Sequence, residues 1–159
     1  MRAPHQPLPE EVRGRALLSL GRYGKAEAAF DAYLRKGGVG KSDIYRHRGL
    51  ARMKLGKYPE AVEDYSRALE RETTAEVYQH RGWAHLFSDA LKLAGHDFSR
   101  AIELAPSVPG AWIGRGWVRL RIGQYREALA DAGVALHSLL SNEEPDAKPQ
   151  GRKEENGRR

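Results

Sequence analysis

Residues 35–43 read RKGGVGKSD, and the run Gly37-Gly38-Val39-Gly40-Lys41-Ser42 is close to the glycine-rich loop that wraps nucleotide phosphates. Such a loop needs a further glycine five positions before Gly40, a buried strand leading in, and a helix leading out with its amides aimed at the anion. Position 35 is Arg, and the preceding KAEAAFDAYL places Ala26, Phe30 and Tyr33 at helical spacings of four and three. The segment is therefore expected to link two helices. Gly37 and Gly38 would end the first in left-handed conformation and Ser42 would cap the second. Nucleotide binding is not expected.

The other reactive side chains do not assemble a catalytic group. Six histidines, His5, His47, His80, His85, His96 and His137, are scattered, and no Glu completes a metal geometry with them. No Ser-His-Asp set or carboxylate pair can be built from corresponding positions. Cys is absent, which removes disulfides, thiolate zinc sites and cysteine nucleophiles together. The expectation is a protein without catalysis, metal or cofactor. One charged pattern does recur: Arg13, Arg48, Arg81 and Arg115, followed sixteen residues later by Asp64, Asp97 and Asp131, with Ala29 in the first case. An Arg on the inward side of one helix needs a counter-charge, and an Asp at fixed offset on the next helix supplies a forked, structural pair. Arg52 and Arg119 lie four residues beyond Arg48 and Arg115, so like charges share a face and require an acidic partner, inside the protein or outside it.

These positions recur because the chain repeats. YRHRGLARMKLGKYPEAVEDYSRAL starts at Tyr45, YQHRGWAHLFSDALKLAGHDFSRAI at Tyr78, and WIGRGWVRLRIGQYREALADAGVAL at Trp112, spaced by 33 and 34 residues. An earlier copy, EEVRGRALLSLGRYGKAEAAFDAYL, starts at Glu10. A period of this size, without alternation of strand and helix, marks a stacked solenoid. The copies resemble the tetratricopeptide repeat, which has an aromatic, Gly four on, then Ala and an aromatic on a second helix, and often Pro. The second copy supplies Tyr45, Gly49, Tyr58, Ala61, Tyr65 and Ala68; the third Tyr78, Gly82, Ala94, Phe98, Ala101 and Pro106; the fourth Trp112, Gly116, Tyr125, Ala128 and Ala135. The first keeps Gly14, Tyr23, Ala26 and Phe30 but has Glu10 in the aromatic's place. The third reads SDALKL where the others have Gly-x-Tyr, and the fourth has Ala132 where they have Tyr or Phe. The expected fold is all-α, a right-handed solenoid of antiparallel helix hairpins. A four-repeat domain would span 7–142, divided at 7–41, 42–74, 75–108 and 109–142.

With about 3.6 residues per turn, the first helix of each hairpin turns its aromatic, its Arg and its next-turn Ala inward and leaves an opposite face. In tetratricopeptide proteins that face lines a concave groove for peptides, which is what the resemblance implies here. It holds Leu50, Met53, Gln79, Trp83, Phe87, Ile113 and Trp117, with basic spots at Arg15, Arg46, Lys54 and Arg121. The family's basic clamp for a C-terminal carboxylate wants Lys, Asn and Arg, whereas Glu11, Arg15, Leu50, Glu76 and His80 stand here. The partner is then expected to be a protein or peptide with apolar anchors and some acidic character. Trp83 and Trp117 are equivalent, and because Arg15 and Leu50 serve at the same place, their rings are expected to be dispensable for folding.

The chain of 159 residues carries a net charge of +6 and a pI near 9.7. Acids interspersed with the bases argue against a nucleic-acid stripe. Residues 143–159 balance five acids with five bases and contain Ala147 as their sole apolar residue, so a disordered tail is expected, with an arm at 1–6. No run of apolar residues suits a membrane and no signal peptide is visible, which favours the cytoplasm. Leu129, Leu136, Leu139 and Leu140 precede the charged tail with no polar closing helix, so that end is expected to dimerise or to meet a further domain. The functional expectation is an interaction scaffold or adaptor. A client-holding chaperone of the secretion type, a piece of a larger regulator and a nucleic-acid binder are the alternatives.

Overall fold

The structure is a computed structural model that describes residues 9–39 and 41–141. The arm at 1–6, the tail at 143–159 and Gly40 lie outside the described residues. The described chain forms helices α1 (Pro9–Ser19), α2 (Tyr23–Arg35), α3 (Ser42–Lys54), α4 (Tyr58–Leu69), α5 (Ala75–Phe87), α6 (Leu91–Leu104), α7 (Pro109–Arg121) and α8 (Tyr125–Ser141). Each helix packs on its successor, and α1, α3, α5 and α7 also touch along one side. The result is an all-α right-handed solenoid of antiparallel hairpins. No described helix is long and apolar enough to cross a membrane.

The first three hairpins each close on a glycine. The ring of Phe30 lies on Gly14, Tyr65 on Gly49 and Phe98 on Gly82, so that a methyl group added to these glycines would come within 2.7, 3.0 and 2.9 Å of the rings. The three aromatics are fully buried, and each of the two phenylalanines contributes roughly 1.5–3 kcal/mol by its burial. The following first helix seals Phe30 with Ile44, Tyr65 with Val77 and Phe98 with Val118, all 4% exposed or less. The fourth hairpin is different. Ala132 is exposed, and the nearest atoms to a methyl on Gly116 would be 3.6 Å away.

The glycine-rich segment is a helix link. Gly37 takes φ +77°, and the amides of Gly37 and Gly38 donate to the Leu34 and Tyr33 carbonyls, which close α2 and leave neither amide for a phosphate. Gly38 does not share the left-handed conformation expected of it; it packs under the Tyr33 ring, whose hydroxyl donates to the Val39 carbonyl at 3.2 Å. Ser42 does not cap α3 either. Lys41 occupies the cap, and the Ser42 hydroxyl donates to the Ala68 carbonyl at 3.2 Å, satisfying an acceptor at the end of α4. The missing Gly of the third copy also has a structural answer. Asp89 adopts φ 62°, the conformation that Gly21, Gly56 and Gly123 take at the other three turns.

Candidate functional site

The recurrent arginines form a spine inside the hairpins. Arg48 donates through Nε and Nη2 to Asp64 at 2.9 and 2.6 Å, Arg81 to Asp97 at 2.7 and 2.8 Å, and Arg115 to Asp131 at 3.0 and 2.8 Å. The three aspartates are 2% exposed or less. Arg13, facing Ala29, stays on the surface. The remaining guanidinium nitrogen reaches back to the preceding hairpin: Arg48 to Asp31 at 2.7 Å, Arg81 to Ser66 at 3.0 Å and Arg115 to Ser99 at 3.4 Å. Asp31, Ser66 and Ser99 occupy one repeat position, a link that sequence reasoning missed because Asp and Ser do not look like one feature. The acidic partner required by the clustered arginines is internal. Arg52 donates to Glu27 and Asp64, and Arg119 pairs with Asp131 at 2.7 Å.

On the inner face, α1, α3 and the start of α5 carry paired charge. Glu11 holds Arg15 at 2.9 Å, while Arg46 bridges Asp43 at 3.0 Å and Glu76 at 2.7 Å. The Arg46 pairing also holds the Asp43 carboxyl below its ordinary value. The basic spots expected at Arg15 and Arg46 are thus already neutralised, whereas Lys54 makes no ion pair among the described residues. His47 stacks on Phe30 at 6.2 Å and His80 on Tyr65 at 5.6 Å. Burial pushes both imidazoles towards the neutral form. Leu50 is half-buried, and Met53 packs on the cluster around Tyr45 and Tyr65.

The inner face of α5 and α7 is apolar instead. Trp83, Leu86, Phe87, Trp117 and Arg121 surround an open hollow of about 450 Å³. Trp83 is half-buried, set edge-on against Phe98 with ring centres 5.3 Å apart, and stacked on Phe87 at 5.9 Å; Phe87 in turn stacks on Tyr58 at 5.3 Å. The expectation that the two tryptophans are equally dispensable is therefore corrected. Trp83 rests on its hairpin's aromatic and belongs partly to the core, whereas Trp117 faces Ala132 at that place and remains 52% exposed. Leu86 is buried as the floor, Phe87 is 55% exposed, and Arg121 pairs across the rim with Asp89 at 2.7 Å. Gln79 covers Gly110 at the start of α7, and Ile113 faces a neighbouring hollow at the C-terminal end that shares the Trp117 wall.

The chain matches the Tetratricopeptide repeat family over residues 11–76 and 46–109. No curated protein sequence matches it significantly. MamA from Desulfovibrio magneticus RS-1 superposes with a TM-score of 0.79 at 20% identity, covering 86% of this chain and 77% of that one, a likeness of fold. The second tetratricopeptide domain of human RPAP3, solved with the HSP70 peptide SGPTIEEVD, gives 0.65 at 24% identity over 69% of this chain and 92% of that one. The second such domain of Spaghetti (RPAP3), bound to the HSP90 peptide SRMEEVD, gives 0.59 at 30% identity over 60% and 90%. With the repeated glycine–aromatic closures, the eight stacked helices and a family match that spans residues 11–109, the chain belongs to the tetratricopeptide repeat family.

Proposed function

We propose that this protein is a non-catalytic interaction module that holds a partner segment against α5 and α7. The observation that carries this reading is the hollow of about 450 Å³ walled by Trp83, Phe87 and Trp117. Trp117 and Phe87 are more than half exposed, and large rings grouped around a dry floor are what binding hot spots consist of. Arg121 at the rim gives the partner a second feature. A carboxylate next to an apolar anchor can take over the place of Asp89, which is 73% exposed and easily displaced. The RPAP3 domains hold short peptides, and this chain would hold one by a different chemistry, since Glu11 and His80 stand at clamp positions and are committed to Arg15 and Tyr65.

Peptides selected from a random display library against the full chain test the reading. The expected consensus has one aromatic or long aliphatic anchor beside Asp or Glu. Trp117→Ala is expected to weaken the selected peptide by about thirtyfold, the loss of a hot-spot ring, with thermal stability nearly unchanged because the ring is exposed. Asp89→Gly is expected to tighten acidic peptides by freeing Arg121. Selected peptides that bind the folded Trp117→Ala protein as well as the original would place the partner elsewhere.

A further inference from the structure

The C-terminal end of the solenoid carries a second hollow, of about 490 Å³, between α7 and α8, with Gly116 and Ala132 at its floor and Leu120, Leu129, Leu136 and Leu139 in its walls. In the three earlier hairpins the corresponding space is closed twice, by an aromatic on the glycine and by the next first helix laid across. Here Ala132 leaves the angle empty. The next residue has changed as well. Asp31, Ser66 and Ser99 each accept a hydrogen bond from the arginine of the following hairpin, and Gly133 stands at their position. A fifth hairpin built like the others would find neither its aromatic floor nor its polar partner.

The outward face of α8 suits a different occupant. Tyr125, Leu129, Ala132, Leu136 and Leu139 follow each other at spacings of four, three, four and three, the seam by which one helix packs along another. Large residues flank a small central one on both sides, so the order of sizes reads alike in both directions from Ala132. A helix lying antiparallel on this seam can therefore be its own twin. The seam contains no charged residue, so pairing it strands no charge. Leu120, Tyr125, Leu129, Leu136 and Leu139 are each between 46% and 75% exposed. Together they line one continuous apolar face, the kind of exposed patch that marks an interaction site. Residues 142–159 offer no leucine, isoleucine, valine or aromatic side chain to set against it.

We propose that this face is covered by the same face of a second copy of the chain. Two α8 helices cross antiparallel near Ala132 about a twofold axis, and each sends Leu129 and Leu136 into the hollow over the other's Gly116 and Ala132. The contact is isologous and closes at two copies. The four central helices, α7 and α8 from each copy, then share one core.

Light scattering and sedimentation equilibrium on the full chain test this. The expected result is a dimer that dissociates on dilution. Leu129→Glu with Leu136→Glu is expected to weaken association by about a hundredfold or more while helicity is kept, since both side chains are exposed in the single copy. Neither residue lines the Trp83 hollow, so peptide binding there should survive, which separates this proposal from the groove reading. Ala132→Tyr supplies the second arm. The new ring should land on its own Gly116 as Tyr65 lands on Gly49, which raises the melting temperature and abolishes the dimer. A chain that stays monomeric at high concentration, a dimer that survives the double change, or an Ala132→Tyr protein that associates unchanged would each overturn the proposal.

Discussion

An aspartate at 2% exposure with two guanidinium bonds, at 2.7 and 2.8 Å, decides the fate of its arginine. Removing Asp97 leaves Arg81 in place with the Ser66 hydroxyl and the face of the Tyr78 ring, but no carboxylate among the described residues. A half-buried guanidinium that has lost its counter-charge is costly, because water cannot fully replace the carboxylate there. Asp97→Ala is expected to cost about 2 kcal/mol or more, read as a lower urea midpoint at unchanged slope. An unchanged midpoint would mean that Arg81 is solvated. The pairing itself was legible from the constant offset of sixteen residues, because two facing helices joined by a short turn keep one register. The back-contacts through Asp31, Ser66 and Ser99 were not, since they join different hairpins through unlike residues.

Between elements, the same chemical change should have opposite signs at two glycines. A methyl group at Gly114 would run into the ring of Phe98, where α7 crosses the third hairpin, whereas a methyl at Gly133 meets nothing within 4 Å. Both lie inside helices, where Ala is favoured over Gly by roughly 0.5–1 kcal/mol. At Gly133 that gain is expected to appear as added stability. At Gly114 the buried Phe98 cannot swing away, and the overpacking is expected to outweigh the gain and destabilise by about 1–3 kcal/mol. Thermal unfolding of the two single variants checks the pair. A stabilised Gly114→Ala protein would show that α7 does not sit closely on α5 and α6. The helix boundaries and the closing glycines were readable from the period. The closeness of α7 was not, because Gly114 has no counterpart among the repeat's signature positions.

Across the whole molecule, three imidazoles bias stability with pH. Burial pushes His47, His80 and His85 below the ordinary histidine value. As pH falls below about 6.5, the unfolded chain takes up protons that the folded one refuses, so stability drops on acidification from 7 to 5. The loss is at most about 1.4 kcal/mol per pH unit for each histidine. Glu10, Glu27 and Asp43, held low by their Lys and Arg partners, add a further loss below about 4.5. His80→Phe keeps a ring on Tyr65, removes a buried nitrogen that has no hydrogen-bond partner, and should raise the melting temperature and flatten the profile. A profile flat between pH 7 and 5 would mean that the rings are solvated. At this scale the sequence by itself determined the repeat, the all-α class and the internal Arg–Asp spine, because the closing glycine recurs in all four copies and the aromatic and the Arg–Asp pair in three each. Only the tertiary structure decided that Arg15, Arg46 and Arg121 are already paired, that Trp83 leans on Phe98 while Trp117 stands free, and that the hollow over Gly116 is empty. Positions equivalent in the repeat are not equivalent in space, for the burial of each depends on what the facing helix places beneath it.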